Sequence, residues 1–519
     1  MENKKKPNVF CVLVDGNRAK PGNDMHSRLA AFDQLGQKYI GFNEVITSAS
    51  STLMSFAGII TGSFAYDLFP CFFSFTKYEF KEDNYFRKFK EAGYNVQSAV
   101  FYDVNRIHFL KEINAFQEGK NNRFLSHKEM LNDFKFLVEN KWDQNKPNFI
   151  FCHAGFYENG DWLVSEILQF LKDQGLFEDA IFILCSDHGY IDYGRFRYLG
   201  WLLHPKVHSL YVDEDTLRTN LAIHLPESVS KVKHKIINSP VCVIDIFETV
   251  LDYLDIDRNI KIDGLKKRAV SFKPLIETDS LEEIKKADNR LIRSDTRYLF
   301  QNYNQTSIRN RYYKLISNYK KSRFFRLNNG KECLIKRLSA VEKDKLSEFK
   351  SALAKYELEA QPHIFKMTDL LYSNSILNSI NNKRVGLYNF ASASLLKYLL
   401  EKLSKNNRVE IVDFKKIKRD YHKYDLIICI INNSDFFHYI RFIDFINKKG
   451  IANILLNLGF EEQKFNKYLF WNDLYNQAFV INKSLNLFSK MAILFVLSFI
   501  KIQSWFNLRN NPDNYYNGE

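Results

Sequence analysis

The chain has 519 residues, 45% of them hydrophobic, and its 74 Lys and Arg against 60 Asp and Glu give a formal net charge of +14 at pH 7. That is too long for a single ordinary core, and the apolar content supports more than one packed unit. The basic balance favours acidic partners such as phosphorylated substrates or anionic lipid heads. Runs such as Lys231-Val232-Lys233-His234-Lys235 read as solvated faces, and with no nucleic-acid motif beside them no nucleic-acid partner is expected.

Met1 to Lys6 lead at once into an apolar strand, Val9 to Val14, which leaves no room for a signal peptide. The seven cysteines form no CxxC pair and are odd in number, so they read as reduced, mostly buried thiols. Together these features predict a cytoplasmic protein. From residue 8 to about 275, apolar strands alternate with helical patterns, as where the helix Trp162 to Leu171 precedes the strand Ala180 to Cys185. This is βαβ repetition with a mostly parallel sheet. The charged stretch Glu282 to Asp295 reads as a connector, Tyr298 to Leu327 as a small antiparallel sheet, and Leu338 to Leu358 as a helix. A first domain, 1–362, closes near Gln361-Pro362.

A second unit, 363–480, alternates strands at Arg384 to Tyr388, Val409 to Phe414, Asp425 to Ile431 and Ile451 to Leu456 with single helices. It reads as a small Rossmann-like α/β domain. No Gly-x-Gly-x-x-Gly follows its first strand, and Asp413 is read as a strand-end turn residue rather than a ribose ligand, so a docking or substrate-selecting role is equally compatible. In the tail, 481–519, the apolar run Met491 to Ile500 spans ten residues, about 15 Å of helix, half a bilayer core. It reads as a buried terminal helix, with peripheral contact at the inner membrane face through Trp505 and Phe506 as the alternative.

Chemistry concentrates where strands end. The strand Val9 to Val14 ends in Asp15, the strand Ala180 to Cys185 runs into Ser186-Asp187-His188-Gly189, and Thr52 lies in the hydroxyl-rich stretch Ser50-Ser51-Thr52. In open α/β sheets, groups at the carboxyl ends of strands face one crevice. Two short carboxylates and an imidazole suit a divalent cation, so Asp15, Asp187 and His188 are read as metal ligands, with Thr52 completing the shell. Metal contact would lower the pKa of the Thr52 hydroxyl and make it a usable nucleophile. Ser51 is its rival.

These blocks resemble the sulfatase/alkaline phosphatase superfamily, from about Pro7 to about Ala360. Val14-Asp15-Gly16-Asn17-Arg18-Ala19 looks like its opening motif, and Thr52 precedes Thr61-Gly62 by nine residues as its nucleophile does. Ser186 to Gly189 matches outright. His208-Ser209-Leu210-Tyr211 with Arg218 resembles a later block, Pro240 to Ile246 a helix, and Ser307 to Ile316 a C-terminal strand. The resemblance implies an alkaline-phosphatase-like central sheet, mostly parallel, with helices on both faces and a small C-terminal antiparallel sheet. It implies that His208 binds a substrate oxygen or protonates the leaving group, and that His153 and Arg18 contact substrate.

The departures bear on the reaction. Formylglycine-forming sulfatases carry Cys or Ser in Cys/Ser-x-Pro-x-Arg, whereas Thr52, Met54 and Phe56 stand at those positions. Threonine cannot be converted in that way. The resemblance therefore implies a metal-dependent hydrolase or transferase acting on phosphate in preference to sulfate esters, in cell-surface glycan or lipid modification. It implies one divalent ion (Mn, Mg, Ca or Zn), with room for a second, and an anionic phosphate- or sulfate-bearing substrate. The alternative is a catalytically silent protein of this fold that binds anionic glycan or lipid as an assembly factor.

Overall fold

The computed structural model describes residues 6–17, 30–68, 83–100, 126–154, 160–189, 211–262, 264–296, 305–317, 322–328, 330–371, 382–389, 400–412, 419–431 and 453–457. The central sheet has seven strands in the order Asn95–Val100, Asn148–Ala154, Asn8–Val14, Ala180–Ser186, Leu221–His224, Ile40–Phe42, Lys235–Ile237. Its first four strands run parallel. Leu221–His224 turns antiparallel to both of its neighbours, and the last pair is parallel again.

The parallel strands are apolar on both faces because both are covered. Along Asn8–Val14, Val9, Cys11 and Leu13 pack into one core with Phe56, Ile59 and Ile60 of the helix Thr52–Thr61 and with Phe247 and Val250 of the helix Ile246–Tyr253. The alternate residues Phe10, Val12 and Val14 point to the other core, with Phe134 and Leu137 of the helix His127–Asn140 and Leu163 and Ile167 of the helix Gly160–Asp173. Burial of each such large side chain stabilises by about 1.5–3 kcal/mol.

Register makes the site possible. Val14 pairs with Ala154 on one side and Ser186 on the other, so three strands end at one level.

A five-stranded antiparallel sheet follows, Ile292–Thr296, Gln305–Arg309, Tyr313–Ser317, Ser322–Asn328 and Lys331–Leu334, each strand paired with the next. The stretch expected to be a connector is therefore a helix, Leu281–Asn289, and the first strand of this sheet. That strand, Ile-Arg-Ser-Asp-Thr, is buried throughout despite its polarity, because Arg293 is held by Asp67 and Asp295. The following helix, Ala340–Leu371, seats Phe349 on Ile308, Leu315 and Phe324. It runs past Leu358, where the sequence pattern places its end, and through Pro362, near which the first domain is expected to close. The segment Pro240 to Ile246, expected to be helical, is instead a two-residue strand and a 3₁₀ turn ahead of the helix that begins at Ile246.

Further on, four parallel strands lie in the order Arg408–Val412, Arg384–Asn389, Leu426–Ile431, Asn453–Asn457. No helix among the described residues is long and apolar enough to cross a membrane. The apolar run Met491 to Ile500, Trp505 and Phe506 lie outside the described residues, as does Asp413.

Candidate metal centre

Asp15 follows the central strand directly, and its amide donates to the Ala154 carbonyl of the neighbouring strand at 3.1 Å. Gly16 then turns the chain with φ +67°, a left-handed conformation that glycine adopts without steric cost. Its amide donates to Asp187 Oδ1 at 3.0 Å, and the Asn17 amide to Ser186 Oγ at 2.9 Å. The loop after one strand is thus stitched to the loop after the next. Asp187 Oδ1 also accepts from the His188 amide at 2.8 Å.

The other oxygen, Asp187 Oδ2, is buried and accepts no hydrogen bond among the described residues. It lies 3.5 Å from His188 Nε2, which is also 3.5 Å from Asp15 Oδ1. The tautomer of His188 follows from its other nitrogen, since Nδ1 lies 2.8 Å from the Gly189 carbonyl, which can only accept. Nδ1 carries the proton. Nε2 presents its lone pair to the site.

Thr52 opens the helix Thr52–Thr61 and is half-buried. Its Oγ1 lies 3.3 Å from Asp15 Oδ1 and 3.1 Å from His188 Nε2. Ser51, the rival hydroxyl, is the N-cap residue of that helix and makes no side-chain cap bond. The Thr-Gly pair at the far end has a structural cause. Gly62 is the left-handed C-cap with φ +67°, and a Cβ there would stand 2.3 Å from the Tyr85 hydroxyl.

His153, the penultimate residue of its strand, is buried, and its ring meets Phe56 edge-on at 6.0 Å. Burial pushes its pKa down to about 4, so it is neutral near pH 7. Ligand atoms of Asp15, His153 and Asp187 all lie within 4.8 Å of one another. Donors around one ion at roughly 2.0–2.6 Å fall within about that spread. Two buried carboxylates side by side repel, and Asp187 Oδ2 has no hydrogen-bonding cation among the described residues; a divalent cation would relieve both. The donor set fits such an ion.

The structure brings Asp15, Thr52, Asp187 and His188, four of the residues singled out in the sequence, close together. It adds His153 to the same group: read as a substrate contact, it stands at ligand distance from both carboxylates. Arg18 and His208 lie outside the described residues. A contact that sequence reasoning missed is the Ser55 hydroxyl donating to the Asp187 carbonyl at 2.7 Å. Its position one helical turn after Thr52 is the signal that could have found it.

A family model described as Sulfatase matches residues 114–256, a span that contains His153, Asp187 and His188 and begins after Asp15 and Thr52. No curated protein matches the chain. Among solved structures, a protein from Bacteroides thetaiotaomicron assigned to the sulfatases superimposes with a TM-score of 0.53 at 11% identity, over 69% of this chain and 93% of that one. Another from Bacteroides fragilis, similarly assigned, gives 0.52 at 13% identity over 70% and 98%. A third, solved with its substrate D-glucosamine-2-N,6-O-disulfate, gives 0.52 at 13% identity over 69% and 99%. At these identities the likeness is one of fold.

Proposed function

We propose that the chain is a member of the sulfatase/alkaline phosphatase superfamily and a metal-dependent hydrolase or transferase of phosphate esters with Thr52 as the attacking group, a reading supported by the Sulfatase model over residues 114–256 and by the shared fold. The observation that carries this reading is the placement of Thr52 Oγ1 within reach of both Asp15 Oδ1 and His188 Nε2, beside the buried acid pair. Asp15, Asp187, His188 and the Thr52 oxygen would hold the ion, with His153 turned to the same carboxylates. When bound, a divalent cation lowers the pKa of the hydroxyl and offsets charge on the phosphoryl oxygens.

The rest falls to the chain's own residues. The helix start aims the hydroxyl, and the acceptor in reach of its proton that keeps a spare lone pair when an ion is held is the Asp15 carboxylate, through Oδ1. Thr52 Oγ1 forms a bond to phosphorus as the bond to the leaving alcohol breaks, and that alcohol oxygen takes a proton, the role proposed for His208. Water or an acceptor hydroxyl then attacks the phosphothreonine and returns Thr52. Neutral His153 stays uncharged through the working pH range. The preference for phosphorus rests on Thr52, Met54 and Phe56 in place of the formylglycine motif. A glycan or lipid phosphoester at the cell surface is the proposed substrate class.

Purified protein assayed on mono- and bis-nitrophenyl phosphate and nitrophenyl sulfate, with Mn²⁺, Mg²⁺, Ca²⁺ and Zn²⁺, tests this. Phosphate turnover lost in Thr52→Ala is the expected result. Equal rates for wild type and Thr52→Ala, or turnover of sulfate alone, would overturn it.

A further inference from the structure

Thr52 must meet partners carried by two different strand ends, yet its helix has no side-chain cap at Ser51 to fix where it starts. We propose that Ser55 is the positioning residue that holds Thr52 in register with Asp187, a role that rests on the function proposed above. Ser55 lies one turn beyond Thr52 on the same helix face and is fully buried. Its Oγ donates to the Asp187 carbonyl at 2.7 Å. The residue whose carboxylate faces the site is thereby tied through its own backbone to the helix that carries the hydroxyl.

The strand side of that corner is held separately. Ser186 Oγ donates to the His188 carbonyl at 3.0 Å, and Thr219 Oγ1 to the Ser186 carbonyl at 3.0 Å. Ser55 supplies the tie on the helix side. Behind it, Thr47 Oγ1 lies 2.8 Å from Ser55 Oγ and shares its proton between that oxygen and the Ala49 carbonyl. Thr47 is fixed in turn, because its amide donates to the Leu217 carbonyl at 2.9 Å and its carbonyl accepts from Ser294 Oγ at 2.6 Å. A chain of hydroxyls thus runs from the antiparallel sheet to the metal centre. None of these groups touches substrate; they set distances. A reacting group misplaced by about 1 Å costs on the order of 100-fold in rate, and loss of a group that orients a metal ligand costs about 10–100-fold in metal affinity or activity.

The test uses the full chain, with Mn²⁺ affinity read by titration and turnover read on bis-nitrophenyl phosphate. Ser55→Ala is expected to weaken Mn²⁺ binding about 10–100-fold and to lower kcat about 100-fold with KM within roughly 3-fold. Ser55→Thr, which keeps the hydroxyl, is expected to restore most of both. Thr47→Val, which removes only the backing hydroxyl, should shift both in the same direction by a smaller factor, and it carries the test if Ser55→Ala does not fold. Wild-type Mn²⁺ affinity and kcat in folded Ser55→Ala, even with a lower melting temperature, would overturn the proposal, as would wild-type values in Thr47→Val should Ser55→Ala fail to fold. Thr52→Ala turning over like wild type would count against the proposed reaction instead, while the Mn²⁺ readings would still decide the role of Ser55.

Discussion

Arg293 Nη1 donates to Asp67 Oδ1 at 2.9 Å across a separation of 226 residues, with both side chains almost wholly removed from solvent. The pair joins the antiparallel sheet to the segment that follows the helix Thr52–Thr61, and Arg268 Nε reaches the other Asp67 oxygen at 3.1 Å. Breaking a buried pair by removing one member leaves an uncompensated charge, so Arg293→Met is expected to cost about 3–5 kcal/mol. Urea unfolding would measure it. The double variant Arg293→Met with Asp67→Leu should recover part of the loss, and the recovery should be incomplete because Arg268 loses one of its two carboxylate partners, keeping Glu359, and Asp295 also loses Arg293.

The acid pair at the strand ends makes its own prediction. A cation that binds only the folded chain stabilises by about 2.7 kcal/mol at 100 times its dissociation constant. Mn²⁺ is therefore expected to raise the melting temperature of wild type in a concentration-dependent way, and to leave Asp187→Asn unmoved. Calorimetry with and without chelator checks both.

Acid sensitivity should centre on Glu214. Burial alone would raise its pKa, but Arg309 and Lys314 beside it together hold the carboxyl down to about 2, against an ordinary 4.5. Lys314 Nζ is 2.8 Å from Glu214 Oε1 and 2.8 Å from Glu332 Oε1. A carboxylate with a lowered pKa contributes stability that is present above its unfolded value and lost as pH falls through its folded value. The window runs from about 4.5 down to about 2, and the contribution is about 3 kcal/mol. Unfolding midpoints measured against pH should fall across that window in wild type. In Glu214→Gln they should start lower and fall less.

Thiol labelling should separate the cysteines. Cys333 is exposed, while Cys11, Cys152, Cys185 and Cys242 are buried. Burial also pushes the Cys242 thiol up to about 12 and the Cys152 thiol higher still, which removes the reactive thiolate. Brief treatment of native protein with iodoacetamide, mapped by mass spectrometry, should modify Cys333 and spare these four until denaturant is added. Rapid modification of Cys242 would contradict the packing.

What could be seen in the linear chain was set by hydrophobic pattern. Apolar runs ending in Asp15 and Ser186-Asp187 could be placed as strands with their acids at one edge, because burial on both faces leaves a continuous apolar signature. Thr52 was visible through its distance to Thr61-Gly62, and Gly62 explains that distance by closing the helix. The strand Ile292–Thr296 was hidden for the opposite reason. Arg293, Ser294 and Asp295 are buried by partners at Asp67, Thr47 and Ser48, none of which leaves a local trace. His153 could be placed at a strand end, but its nearness to both carboxylates depends on register between strands, and a single strand carries no record of that. The continuation of the helix through Pro362 was likewise unreadable, since proline statistics describe typical helices rather than one whose turns ahead of the proline are seated, through Phe349, on a sheet.

The bond from Ser294 to Thr47 spans 247 residues, and it sets an order of assembly during synthesis. The strand ends carrying Asp15 and Asp187 leave the ribosome long before the segment that steadies Thr47 and, through it, Ser55. A nascent chain released short of Ile292 would hold Asp15, Thr52, His153, Asp187 and His188 and still lack the Ser294 hydroxyl bonded to Thr47, so on the proposed function competence arrives late, with the antiparallel sheet.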